Sequence, residues 1–114
     1  MTMSFKEIIS DLSPALIKLR KELPDVMGGF DKLAQAAAKD GALSKKTKEL
    51  IALALGIAAH CDGCIGFHMQ ALVKLGVTRE ELLETLSMAV YMGGGPSVIY
   101  AAESLKAFEE LSGH

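Results

Sequence analysis

Ten consecutive apolar residues, Leu50 to Ala59, constrain this chain more than any other feature. A membrane-spanning helix needs roughly 20 such residues, so the run is too short to cross a bilayer. It predicts instead a helix buried on all sides in a protein core. No alternating apolar–polar pattern competes with a helical reading elsewhere in the chain. The fold class expected is therefore all-α, and 114 residues suffice for one domain.

The punctuation around that run is helical too. Ser4 with Glu7 forms a capping box. Ser13-Pro14 reads as an N-cap followed by proline at the first helical position, with Leu16, Leu19 and Leu23 following at helical spacing. Pro24 forces a restart, and a helix is expected from Asp25 to Lys39 before the Asp40-Gly41 turn. Ser44 caps a helix from Lys45 to Ala59, which His60 to Gly63 interrupts. The next helix should run from Asp62 to Leu75 and end at Gly76. Thr78 and Glu81 form a second capping box, opening a helix to Met92. Gly93 to Gly95 break it, and Pro96 starts a last helix, Ser97 to Leu111. Ser112 to His114 are expected to fray.

Composition narrows the function classes. The chain is 50% hydrophobic, which excludes intrinsic disorder. Two cysteines do not make a disulfide-stapled scaffold. Twelve basic against 14 acidic residues offer no polycationic surface for nucleic acid. A mean hydropathy of +0.29 is high for so small a chain, and predicts apolar surface covered by further subunits. The N-terminal MTMSFKEIIS lacks the basic and apolar regions of a secretory signal. A cytoplasmic, reducing location follows as the expectation, with no membrane contact. There a cysteine pair is more often catalytic or metal-binding than structural.

Cys61, Cys64 and His68 follow one another at i, i+3 and i+7. On an α-helix they share one face. Cysteines three apart on a helix can exist as a dithiol or as a local disulfide. A helix N-terminus lowers the pKa of a thiol held there, and by that argument alone Cys61, nearer the terminus, is the more reactive sulfur. His68 is one turn beyond Cys64, in reach to exchange a proton with it. Glu49 lies twelve residues before Cys61, about 18 Å along a straight helix. If the chain reverses at His60 to Gly63, Glu49 comes alongside the Cys61–Leu75 helix, somewhere below His68. A carboxylate opening so apolar a helix needs a partner. Apolar surroundings push a carboxyl toward neutrality, which suits a general base.

Glu49, eleven residues, Cys61-Asp62-Gly63-Cys64, three residues and His68 together resemble the signature of the alkyl hydroperoxidase D-like proteins, within the carboxymuconolactone decarboxylase superfamily. The segment Ala89 to Pro96 resembles the helix–Gly–Pro–helix piece of that superfamily. The resemblance spans about Phe30 to Leu111. It implies an all-α fold built on a helical hairpin, assembled as homotrimers or homohexamers. It also implies thiol-dependent reduction of organic hydroperoxides, with an antioxidant role and no cofactor. In the family's relay, residues matching Glu49 and His68 move a proton to the first cysteine, which helps deprotonate the second. Carried over, Cys64 is peroxidatic and Cys61 resolving, and an external dithiol, of lipoyl type or another thiol protein, restores them. The best-studied peroxidases carry a second histidine between the cysteines, where this chain has Gly63. That departure leaves general thiol–disulfide exchange open as the activity. The decarboxylase branch lacks the cysteine pair, so lactone decarboxylation is not expected.

Blander readings stand beside these. The cysteines could be small core hydrophobes. Cys61, Cys64 and His68, with His60 or Glu49 as a fourth ligand, would satisfy zinc in a non-enzymatic, structural oligomer. Zinc modules usually draw their ligand pairs from two separate elements, so no metal is expected. Glu49 could be a first-turn carboxylate favoured by the helix dipole. His60 reads as a hinge residue, and Met27, Met69, Met88 and Met92 as core or interface filler. Gly93 to Gly95 read as a tight turn, and Phe67 as packing or as an apolar approach for a peroxide.

Overall fold

The computed structural model describes residues 3–113. Six helices follow one another: α1 (Phe5–Glu22), α2 (Pro24–Ala37), α3 (Lys45–Ala58), α4 (Asp62–Lys74), α5 (Arg79–Gly93) and α6 (Gly95–Ser112). No strand occurs among the described residues. The caps fall where the side chains dictate. Ser4 and Thr78 close complete capping boxes with Glu7 and Glu81, and Ser44 accepts the Thr47 N–H. Gly94, at φ +73°, is the joint between α5 and α6, a conformation that costs glycine little. Pro96 follows one place deeper into α6 than expected. Gly113 caps α6, so the helix stays formed through Ser112; His114 lies outside the described residues.

The core is made by α3 to α6, with Leu53, Ile57, Ile65, Met69, Leu72 and Leu82 at its centre, and Phe5 of α1 closing one side. α3 and α4 form the central antiparallel hairpin. Their turn is a Schellman motif: Cys61 N–H donates to the Gly56 carbonyl and His60 N–H to that of Ile57. His60 takes the left-handed position, at φ 55°, where glycine is usual and another residue costs about 1–2 kcal/mol. Its ring stacks on Tyr100 of α6, 4.7 Å between centroids and 3° from parallel, which holds the turn against the core.

Two expectations are corrected. Ser13-Pro14 starts no helix, because α1 runs through it from Phe5 to Glu22. Pro14 is on the exposed side, where the carbonyl that loses its N–H donor can turn to water, and Ser13 Oγ bonds back to the Ile9 carbonyl at 2.7 Å. The face carrying Ile8, Ile9, Leu12 and Leu16 thereby stays continuous. The Leu50–Ala59 run is also not buried on all sides. Leu53, Gly56 and Ile57 are enclosed, while Ile51 and Leu55 are 45% and 65% exposed. The reason is placement: among the described residues α3 packs on no helices but α4, α5 and α6, which leaves one flank open. α2 is more exposed still. It buries no residue, and among the described residues it packs on no helix but α1.

Candidate functional site

The site is built on the α3–α4 hairpin. Cys61 is the N-cap of α4, and its Sγ accepts the Cys64 N–H at 3.1 Å. Cys61 and Cys64 are joined in a disulfide, with Cα atoms 5.2 Å apart. Of the two forms the spacing allows, the structure is therefore the oxidised one. Each reduced sulfur would find itself in the first turn of a helix, beside N–H groups that favour a thiolate.

Glu49, in the first turns of α3, meets His68 of α4 across the hairpin. Its Oε2 lies 2.6 Å from His68 Nδ1. The carboxylate is 12% exposed and the imidazole 37%. An ionised carboxylate only accepts, so Nδ1 is the donor, and whenever the ring is neutral its lone pair is on Nε2. Glu49 is thus more than a dipole-stabilised first-turn charge: it fixes the tautomer of the histidine one turn from Cys64. Of the four residues singled out from sequence, Cys61 and Cys64 lie at the turn of the hairpin, His68 lies one turn further along α4, and Glu49 reaches His68 from the first turns of α3. His60 is turned away onto Tyr100. Among the described residues no group of three or more His, Cys, Asp or Glu is arranged to hold a metal ion.

Two glycines set how closely the helices approach. A Cβ on Gly56 would stand 3.1 Å from Cys64 Cβ, so α3 and α4 touch beside the disulfide. A Cβ on Gly63 would stand 2.9 Å from the tip of Leu12. The position between the cysteines is thus roofed by α1, and Leu12 fills the space a larger residue there would need.

An open cleft of about 520 Å³ leads to Cys64 and His68. Three helices line it, each with one face at helical spacing: Ser13, Leu16, Ile17 and Arg20 of α1; Met27 and Phe30 of α2; Gly63, Cys64, Phe67 and His68 of α4. The walls are mostly apolar. At the rim Arg20 grips Asp31, with Nε at 2.9 Å from Oδ2 and Nη2 at 3.0 Å from Oδ1. That hydrogen-bonded pairing holds the Asp31 carboxyl below the usual carboxylate range. Sequence reasoning found the α4 wall and missed the others. The 13, 16, 17, 20 spacing on α1 was the available signal, but nothing local says that this face overhangs the cysteines.

The family model for the carboxymuconolactone decarboxylase family matches residues 24–107. The chain belongs to this family. A carboxymuconolactone decarboxylase family protein from Legionella pneumophila is 68% identical and superposes with a TM-score of 0.93, over 95% of this chain and 96% of that one. A second family protein, from Thermotoga maritima, is 30% identical with a TM-score of 0.70, over 83% and 87% of the two chains; its suggested role is in the antioxidative response. An uncharacterized protein of Cupriavidus necator is 36% identical over 98% of this chain and 99% of its own length. As a family member this chain has the all-α, alkyl hydroperoxidase D-like hairpin that its motif implied. Among the described residues no helix is long and apolar enough to cross a membrane.

Proposed function

We propose that this family member is a thiol-dependent peroxidase that reduces organic hydroperoxides through a Cys61–Cys64 dithiol–disulfide cycle. The observation that carries the reading is the Glu49–His68 contact on the hairpin that holds the Cys61–Cys64 disulfide, with a cleft that reaches Cys64. Glu49 holds His68, and His68 draws the proton from the thiols. The Cys64 thiolate attacks the outer peroxide oxygen, and the O–O bond breaks. The alcohol leaves with a proton, and Cys64 becomes a sulfenic acid. Cys61 then displaces hydroxide, released as water, and closes the disulfide. An external dithiol reopens it and is itself oxidised. The assignment of attack to Cys64 is supported by its place on the cleft wall, while Cys61 caps the helix.

One observation favours a second reading, general thiol–disulfide exchange. Gly63 carries no side chain and Leu12 fills the place beside it, so position 63 adds no group to the proton relay. Turnover with organic peroxide and a dithiol reductant tests both, using wild type, Cys64→Ser and Cys61→Ser. Loss of turnover in both variants supports the peroxidase cycle. Disulfide reduction without peroxide turnover supports exchange, and variants matching wild type overturn both.

The exposed apolar side chains Val26, Phe30 and Leu33 of α2, and Ile51, Leu55 and Met88 of α3 and α5, support assembly as a homo-oligomer.

A further inference from the structure

We propose that Arg20 makes the cleft selective for hydroperoxides that carry a carboxylate at the far end of an apolar chain. The inference takes its chemistry from the peroxidase reading, but its binding contact stands without it.

The cleft has chemically distinct parts. Cys64 and His68 line it from α4; Leu16, Ile17, Met27, Phe30 and Phe67 make apolar walls; Arg20 is the last residue along α1 to line it. Leu12 marks where α1 crosses Gly63, and Arg20 is eight residues further on, about 12 Å along the helix. A compact peroxide would leave most of this channel unused. A medium- to long-chain acid would cover the apolar walls and bring its carboxylate to Arg20.

Arg20 can take that carboxylate without giving up Asp31. A guanidinium has five N–H donors on two usable edges. Asp31 occupies the edge formed by Nε and Nη2. The edge formed by Nη1 and the second Nη2 hydrogen remains for a planar, two-oxygen acceptor. Asp31 also holds the fork in place before a ligand arrives, which lowers the ordering cost of binding. Neutral peroxides gain nothing from this contact, so it acts as a difference between ligands.

The test compares linoleic acid hydroperoxide with its methyl ester, below micellar concentration, in wild type and Arg20→Gln. Wild type should favour the acid by about tenfold in kcat/KM, as a charge-assisted hydrogen bond allows. Arg20→Gln should bring the ratio close to one. Cumene hydroperoxide, which has no carboxylate, reports the peroxide chemistry separately. Turnover of cumene hydroperoxide by wild type with an acid-to-ester ratio near one overturns the Arg20 assignment and leaves the peroxidase reading standing. If no peroxide is reduced, titration with linoleate decides. Binding about tenfold weaker in Arg20→Gln than in wild type supports the contact, and equal binding overturns it.

Discussion

Glu49 and His68 are nineteen residues apart in sequence and 2.6 Å apart across the α3–α4 hairpin. The contact exists because the Schellman turn at His60 reverses the chain between them. If it drives proton removal from the cysteines, Glu49→Gln should slow peroxide reduction by about 10²–10⁴-fold, the usual contribution of a positioned acid–base group. The pH profile of thiol alkylation in the reduced enzyme should move upward in the same variant. A merely structural Glu49 would lower stability and leave that profile in place.

Gly56 permits the helix contact that sets this geometry. Gly56→Ala puts a methyl 3.1 Å from Cys64 Cβ, with the Ile65 backbone nitrogen close behind. Neither neighbour is the free end of a side chain, so the helices must separate slightly. Thermal or denaturant unfolding should register a loss of about 1–3 kcal/mol, and peroxide turnover should fall as Glu49 on α3 drifts from His68 on α4.

Gly63 presents the opposite case, since the obstructing atom is the tip of Leu12. Gly63→His should destabilise by about 1–2 kcal/mol as Leu12 is pushed aside. Leu12→Ala alone opens a void under α1. The double variant should lose less than the two single costs added, by about 0.5 kcal/mol or more. Strict additivity in denaturant unfolding would mean that the two sites do not share this space.

How much of this was legible follows from range. Capping residues act within one turn, so Ser4, Ser44, Gly76 and Thr78 placed helix ends correctly from sequence. That Glu49 lies alongside α4 was inferable because a short hairpin leaves few registers, and the structure adds its pairing with His68. Pro14 misled because its local cost is outweighed by a face that packs on α4 far along the chain. The α1 and α2 walls of the cleft were hidden for the same reason. Their residues look like ordinary amphipathic helix, and only tertiary placement brings Ile17, Arg20 and Phe30 into one cleft with Cys64.

Acid should loosen the cleft before it unfolds the core. Asp31 has its pKa lowered by the hydrogen bond from Arg20. A lowered folded-state pKa contributes stability that is present above the unfolded value, about 3.9, and lost as pH falls through the folded one. Among the described residues α2 packs on no helix but α1 and buries no residue, and the Arg20–Asp31 pair ties the two helices together. Protection factors in α2, taken against the intrinsic exchange rate at each pH, should therefore fall below about pH 4 while those in α4 stay high. Asp31→Asn should show the low protection already at neutral pH, and high salt should do part of the same. Uniform loss of protection across both helices would contradict a local tether.

The apolar faces of α2 and α3 are the remaining unpartnered feature. Val26, Leu33 and Leu55 are 65–66% exposed, on two helices that the core leaves open on one flank. Water contact with such side chains costs about 25 cal/mol per Å², so a second copy that covers them gains a large driving force. Light scattering should give a mass that is a multiple of 12.1 kDa, three or six subunits by family resemblance. Leu55→Glu would bury a charge without a partner in any interface there, and should lower the mass toward one subunit. Phe30 belongs to both the α2 face and the cleft wall, so dissociation should also weaken turnover of long-chain peroxides more than of cumene hydroperoxide. A wild-type monomer at micromolar concentration would rule the assembly out.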